Sequence, residues 1–118
     1  NLFEGTVAEG KIILSSELQF DLPQHCQALP HGPYTFGLRA AAISLAEGGF
    51  PFTVELSEIS GSETFLHLKH EHVQVVGLLD SVQNFNIGET VTAQFDTAHL
   101  YAFGTDGRLK SSPYGGLK

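Results

Sequence analysis

Three histidines lie close together in the sequence, at His67, His70 and His72. Imidazole nitrogens are common zinc ligands, and a zinc site needs three or four ligands in a fixed geometry. On one extended strand, His70 and His72 would point to one side and His67 to the other. No cysteine or carboxylate set accompanies them, because Glu71 is the only acid nearby. We therefore predict a polar hairpin tip rather than a metal site.

A second group combines His25, Cys26 and His31. A cysteine attacks as a thiolate, and the histidine that takes its proton needs a third group to orient it. The Cys-x4-His spacing is not that of a standard zinc half-site. Pro30 and Pro33 indicate that the stretch is a loop. We therefore expect Cys26 to be a buried or incidental thiol, neither a metal ligand nor a nucleophile.

The sequence lacks the common catalytic motifs. A P-loop needs Gly-x4-Gly-Lys-Ser/Thr, and the nearest fragment, Gly10-Lys11-Ile12, has neither the first glycine nor the hydroxyl. Neither a Gly-x-Ser-x-Gly elbow nor His-Glu-x-x-His occurs. We therefore expect no catalytic residue, no cofactor site and no metal site in this chain, and a small enzyme is the least favoured function.

Composition and charge narrow the classes of partner. The chain has 118 residues, of which 42% are apolar and 16% charged, a globular composition that fits one domain. Thirteen acids against six bases give a formal charge of −7. The bases are scattered, so no basic stripe follows a phosphate backbone, and neither nucleic acid nor an anionic membrane is an expected direct partner. The six bases are Lys11, Arg39, Lys69, Arg108, Lys110 and Lys118.

The number of cysteines and the N-terminal residues indicate in which cellular compartment the chain could reside. A single cysteine, Cys26, excludes a disulfide scaffold and is compatible with a reducing compartment. No apolar run reaches the length of a membrane-spanning helix. The first residues lack the basic segment of a signal peptide, and the start at Asn1 rather than Met leaves open a cut made upstream.

Short strands between turn signals fill most of the sequence. Alternating apolar residues predict strands over residues 2–7, 11–14, 18–22, 34–39, 52–59, 64–68, 73–76, 90–95 and 100–103. Prolines indicate a loop over residues 23–33, and Gly48-Gly49 and Pro51 are expected to break the chain. Ala40–Ala42 is expected to form a short helical turn.

Period two predicts which side chains share a face. In the strand over residues 52–59, Phe52, Val54 and Leu56 are expected on one face. No segment has a sustained helical periodicity, and nine phenylalanines with no Trp or Met must supply much of the core. About nine short strands at regular spacing predict an all-β barrel or sandwich.

Four segments, in order along the chain, resemble the C-terminal regulatory domain (TOBE/OB-like) of the ATP-binding subunit of ABC importers of the sugar, polyol or glycerol-3-phosphate type. Residues 59–68 are similar to the strand–turn–strand of those domains, and residues 88–103 to their closing strand and final His-Leu segment. Residues 35–39 resemble their Gly-Ile-Arg-Pro-Glu-His segment, and residues 1–5 the junction after the ATPase domain.

Two positions depart from the family pattern. Ala40–Ala42 stands where the relatives have Pro-Glu-His, so the contacts of those polar groups are lost. Gly104 stands where they have an aspartate after the last aromatic residue.

The resemblance implies an all-β, OB-like barrel (TOBE-type) with additional short strands. We expect this domain to span residues 1–110, and residues 111–118, which show no pattern, to form a disordered tail. The implied role is a non-catalytic regulatory and dimerisation domain at the cytoplasmic face of the inner membrane, within a transporter complex. The implied partners are a second ATP-binding subunit (a homodimer), the membrane subunits through the parent chain, and a cytoplasmic regulatory protein. ATP and Mg²⁺ would belong to the parent chain, a transport ATPase.

Three residues are candidates for a subunit interface or a turn motif: Arg39, Gly61 and Glu63. Arg39 is a lone cation among apolar residues, which fits either an ion pair with Glu63 or Asp96 or a contact with a partner subunit. Gly61 is expected to provide a positive φ in a turn. Glu63 is expected to form a hydrogen bond across that turn.

An alternative function is a free-standing small-oxyanion (molybdate-like) binding barrel. Oxyanion binding needs convergent backbone N–H groups together with hydroxyls or a cation. Ser60-Gly61-Ser62 is the candidate nest, and Arg39 is the candidate cation.

Overall fold

Ten strands, all paired antiparallel, make up most of residues 1–114, the part of the chain that the computed structural model describes. The strands are β1 (Leu2–Ala8), β2 (Lys11–Ile13), β3 (Gln19–Asp21), β4 (Gly32–Gly37), β5 (Ile43–Ser60), β6 (Glu63–His70), β7 (Val73–Leu79), β8 (Thr90–Phe95), β9 (Tyr101–Phe103) and β10 (Leu109–Ser111). Single-turn 3-10 helices lie at Gln24–Cys26, Ala40–Ala42 and Thr97–His99. Within these residues, no helix has the length and apolar character that a membrane span requires. The prediction of an all-β fold is confirmed, and the two antiparallel sheets are consistent with an OB-like domain.

Contacts divide the chain into two compact units, each with its own sheet. The first unit consists of Asn1–Leu38 and the chain from Asp96 onward, and its six strands lie in the order β10-β9-β4-β1-β2-β3. The second unit is Arg39–Phe95, and its four strands lie in the order β7-β6-β5-β8.

The first unit is organised by β1, which pairs with β2 on one side and with β4 on the other. The two-residue turn Glu9-Gly10 joins β1 to β2, with φ of +52° and +76°. Positive φ at both positions is typical of a type I′ hairpin turn, whose twist matches that of the strands. On the buried side, the rings of Phe3 and Phe36 have centroids 6.3 Å apart. These rings anchor β1 and β4 in the core of this unit.

In the second unit, β6 and β7 alternate regularly between a buried and an accessible face. Leu66 and Leu68 of β6 are buried, as are Val73 and Val75 of β7. The two strands form the predicted hairpin, closed by the pair His70 and Val73. Sheet pairing and burial on one face together fix the register, since a slip of one residue would expose every one of these side chains.

The prediction that Gly48-Gly49 breaks the chain is wrong, because β5 runs through the pair and spans 18 residues. Leu45 and Phe50 both oppose Ala93 of β8, so the residues between them form a β-bulge. Gly48 has a φ of +80°, and a Cβ atom on Gly49 would lie 2.7 Å from the carbonyl carbon of Ala93. The two glycines therefore let the strand bend and let its backbone approach β8 closely.

Two prolines that were expected outside strands lie within them. Pro51, predicted to break the chain, pairs with Thr92 of β8, and the pairing of β5 with β6 begins only at Thr53. Pro33, at the end of the predicted loop, lies in β4, whose pairing with β9 begins only at Thr35. Each proline thus has a paired neighbour on one side only, which is where a strand tolerates a residue without an N–H donor.

A second bulge moves Leu56 to the other face of β5. The expectation that Phe52, Val54 and Leu56 share a face is wrong for Leu56. Phe52 and Val54 are buried, with 1% and 0% of their surface exposed, whereas Leu56 is 43% exposed. The pairing of β5 with β6 shifts between Val54 and Leu56, so Glu55 is an extra residue. One extra residue reverses the period-two alternation beyond it.

The predicted boundary of the disordered tail lies at residue 111. Ser111 is the last residue of β10, and both Ser111 and Ser112 are buried. The ordered part of the first unit therefore continues to Ser112 at least. Residues 115–118 lie outside the described residues, and the tail stays a prediction there.

We expect Gly49→Ala to lower the free energy of unfolding by about 2–3 kcal/mol, because the added methyl group would overlap the backbone of Ala93. Gly10→Ala is the matched control, since Gly10 has a φ of +76° but open space around its Cβ position. Its cost should be about 1 kcal/mol, from φ alone. Urea unfolding of the whole chain measures both values. Equal losses in the two variants would contradict a role of Gly49 in close strand approach.

Candidate functional site

Two of the three candidate residues share the hairpin between β5 and β6. Ser60 pairs with Glu63, and Gly61 and Ser62 form the two-residue turn between them. Gly61 has a φ of +61°, as expected for a residue at the first position of such a turn. The hydrogen bond expected from the Glu63 carboxylate across the turn is not found within residues 1–114. The hairpin is an exposed tip, shaped by the glycine.

Arg39 lies beyond the other end of β5. It is exposed and precedes the turn Ala40–Ala42, which closes with a hydrogen bond from the Ala42 N–H to the Arg39 carbonyl at 3.0 Å. In the part of the chain that the structure describes, no ion pair joins Arg39 to Glu63. The structure therefore brings Gly61 and Glu63 together and leaves Arg39 apart from them along β5.

The three clustered histidines have three different environments. His67 is on the accessible face, and its Nε2 lies 2.8 Å from Oε1 of Glu58. His70 is buried, and its Nδ1–H donates to the carbonyl of Pro51 at 2.8 Å. His72 is exposed in the turn between β6 and β7. Because neighbouring residues of a strand point to opposite faces, these rings do not converge into one set of ligands.

Cys26 is fully buried, as expected of a structural thiol. Its Sγ–H points to Oγ of Ser111 at 3.7 Å, and Ser111 in turn donates to the carbonyl of His25 at 2.6 Å. Burial raises the pKa of the Cys26 thiol, against a smaller lowering by the contact with Ser111. The Nε2–H of His25 donates to the carbonyl of Leu100 at 2.7 Å. The imidazole is thus held by the backbone, and the thiol is protonated at neutral pH.

An apolar surface, which we call the accessible sheet face, covers the outer side of the second unit's sheet. Leu56 of β5, His67 of β6 and Val76 of β7 lie side by side in the register. Phe65 and Leu78 form the neighbouring row. Leu56 is exposed and the other apolar members are half-buried. These five side chains make a continuous patch across three strands.

Polar side chains surround this patch. At one border Glu58 accepts a hydrogen bond from the ring of His67, which lies within the patch. At the other border the amide of Gln74 donates to Oε1 of Glu55 at 3.2 Å. Glu63 belongs to the same face of β6 as Phe65, because the two are separated by one residue. An apolar centre with a polar rim is the usual anatomy of a protein–protein interface.

Sequence reasoning missed the apolar part of this face. The period-two pattern assigned Leu56 to the buried side, and nothing local indicated the bulge at Glu55. The alternation in β6 is the one local sign of this face. Phe65 lies between two buried residues, Thr64 and Leu66, so its side chain must point to the opposite face.

The model of the TOBE domain family matches residues 36–103, which is more than half of the chain and includes the whole of the second unit. No curated protein matches the chain.

We expect Cys26 of the folded chain to react with Ellman's reagent at least about 100-fold more slowly than the thiol of glutathione, because reaction needs an accessible thiolate. Burial removes the access and raises the thiol pKa, so both effects act in the same direction. Labelling in denaturing urea is the control and should restore the rate of a free thiol. Rapid labelling of the folded chain would contradict the structural role of Cys26.

Proposed function

The chain belongs to the TOBE domain family, and on this premise we propose that it is a non-catalytic regulatory and dimerisation domain of the ATP-binding subunit of an ABC importer. TOBE domains are known in the regulatory regions of ABC transporters. The observation that carries the proposal is the family match over residues 36–103. Fold alone does not fix function, so the proposal also needs support from the surface of the domain.

The side-chain chemistry supports a domain that acts by contact. The sequence has no P-loop with which to hold a nucleotide. The buried thiol of Cys26 is shielded, and His25 is engaged with the backbone. ATP and Mg²⁺ would therefore be bound by another part of the parent chain, which acts as the transport ATPase.

The accessible sheet face is the surface we assign to the second ATP-binding subunit. Its centre is mainly apolar, with His67 among the apolar side chains, and its rim carries Glu58 and Glu63. This face gives weak association by itself, since its five side chains are far fewer than the roughly 20–30 residues that each partner contributes to a stable interface. Weak association is what a domain needs when the rest of the transporter holds the two copies together.

The proposed class of importer rests on the resemblance of residues 59–68 and 88–103 to the sugar, polyol and glycerol-3-phosphate branch. The proposed location is the cytoplasmic face of the inner membrane, where the parent chain contacts the membrane subunits. The exposed tip at Gly61 and the exposed Arg39 are the places we assign to a cytoplasmic regulatory protein.

The proposal that this domain belongs to a longer ATP-binding subunit can be tested directly. An antibody raised against this domain should detect, in a lysate of the source organism, a protein several times heavier than 12.7 kDa in the membrane fraction. The reason is that the ATPase part must be covalently linked to the domain that regulates it. A soluble band at 12.7 kDa would contradict the proposal and favour the free oxyanion-binding function.

Self-association tests the assigned surface. We expect the average mass of the chain in sedimentation velocity to rise above 12.7 kDa as its concentration approaches the millimolar range. Leu56→Gln and Phe65→Gln should each weaken this association about fivefold or more, because they place an amide in the apolar centre. Both changes preserve the net charge.

Ile87→Gln is the matched control for these two variants. Ile87 is 74% exposed and lies outside the strands of the sheet, so the same change in chemistry falls away from the accessible sheet face. Its association should equal that of the unchanged chain. An equal effect of all three substitutions, or a chain that stays monomeric throughout, would contradict the assignment of this face.

A further inference from the structure

A cleft of about 290 Å³ opens in the first unit and is lined by none of the residues assigned above. Its lining comes from the first 3-10 turn and the segment after it, from β4 and from β10, and consists of His25, Ala28, Leu29, Pro30, Tyr34 and Lys110. One water occupies roughly 30 Å³ in the liquid, so the cleft has room for a molecule much larger than water. Its volume is near the lower end of small-molecule sites.

The shape of the cleft is fixed by short hydrogen bonds. The Tyr34 hydroxyl donates to the Pro30 carbonyl at 2.6 Å, which holds the loop against β4. The His25 ring is held by the Leu100 carbonyl at 2.7 Å. Because a carbonyl oxygen only accepts, Nε2 carries the hydrogen and Nδ1 is the remaining polar atom of the ring. These bonds keep the loop at Pro30 and the imidazole in place without a ligand, which lowers the entropic cost of binding.

The chemistry of the lining is divided between apolar and cationic groups. Ala28, Leu29 and Pro30 give an apolar floor, and the Tyr34 ring gives a flat wall. Lys110 is the one cation among the lining residues. A pocket that combines apolar surface with a single charge suits a ligand with a compact apolar body and one anionic group.

The end of the Lys110 side chain passes close to residue 104, where a glycine leaves room for it. A Cβ atom on Gly104 would lie 2.6 Å from Cε of Lys110 and 2.9 Å from Oδ1 of Asp106. The Lys110 ammonium is 3.7 Å from Oδ2 of Asp106, and 42% of the lysine side chain is exposed. Such a long, exposed ion pair contributes little, so an incoming anion can replace Asp106 as the partner of Lys110.

We propose that this cleft binds a small organic carboxylate, with its apolar body on Tyr34 and the proline-containing loop and its carboxylate on Lys110. The inference goes beyond the proposed regulatory role and does not depend on it, since all the groups belong to the first unit. A cation contact to a carboxylate gives charge-assisted hydrogen bonds, whereas the apolar floor excludes ions that lack an apolar body.

Benzoate is the probe, because its ring matches the flat wall and its carboxylate matches Lys110. We expect a titration of the ¹⁵N-labelled chain in NMR to show saturable shifts at the amides of His25, Leu29, Tyr34 and Lys110, with a dissociation constant on the order of millimolar. Benzyl alcohol, a neutral molecule of similar shape, should give no saturation in the same range. Buffer at about 0.15 M salt screens the long-range effect of the net negative charge.

Three variants separate a specific contact from general charge effects. Lys110→Gln should weaken benzoate binding about tenfold, whereas Asp106→Asn should strengthen it severalfold, because the lysine then loses its competing partner. Lys11→Gln is the matched control, since Lys11 is also an exposed lysine paired with an aspartate in the first unit. It should bind benzoate as the unchanged chain does.

The inference would be overturned by the absence of saturable shifts, by equal binding of benzyl alcohol, or by equal effects of Lys110→Gln and Lys11→Gln. A folded spectrum for Lys110→Gln shows that a loss of binding reflects the lost charge. Loss of self-association in the Leu56→Gln chain, with benzoate binding unchanged, keeps the outcomes of the two proposals distinct.

Discussion

The second unit depends on one constraint. Strand β5 is 18 residues long, and its backbone groups must form hydrogen bonds with two neighbouring strands, β6 and β8. Its first part pairs with β8 and its last part with β6, with only a short overlap near Thr53. A buried N–H or C=O without a partner costs about as much as a hydrogen bond contributes, so interruptions are expensive. Bulges are the means by which the strand changes direction without leaving the sheet.

Each of the two bulges has a different consequence. The first depends on Gly48 and Gly49, which let the strand bend where β8 comes closest. The second leaves Glu55 unpaired with β6 and turns Leu56 outward. The apolar centre of the accessible sheet face is therefore a product of backbone pairing. Without the extra residue, period two would place Leu56 on the buried face with Val54.

Local signals were sufficient where a feature depends on neighbours in the sequence. The turn at Gly61 and the alternation of β6 each follow from a few adjacent residues, and the structure has both. The effect of Gly48-Gly49 was misjudged because a pair of glycines can mark either a turn or a β-bulge. Only the pairing with the partner strand distinguishes a turn from a bulge. Pro33 was misjudged because the tolerance for proline depends on where β9 ends.

The candidate site was harder to predict than the fold for the same reason. Gly61 and Glu63 could be placed on one hairpin from the sequence, because two residues of separation allow little else. The apolar face needed the register of three strands, which no local pattern contains. The cleft is further removed still, since Tyr34 and Lys110 are distant in the chain and meet only through the order of β4, β9 and β10.

In the role that we propose, the domain influences the transporter through differences in binding free energy between states. The accessible sheet face can supply such a difference if two copies approach in one state and separate in another. The cleft can also supply a difference in binding free energy between two states. Lys110 lies on the three-residue strand β10, which in the described residues pairs only with β9, in a short, irregular ladder. Short ladders open at low cost, so a ligand that ties β10 to the loop at Pro30 would favour the closed form of that edge. The same Cys26–Ser111–His25 contacts that hold β10 to the 3-10 turn would then be strengthened by the ligand. The regulation that we propose for this chain thus needs no chemical step, only a surface and an edge whose pairing another molecule can bias.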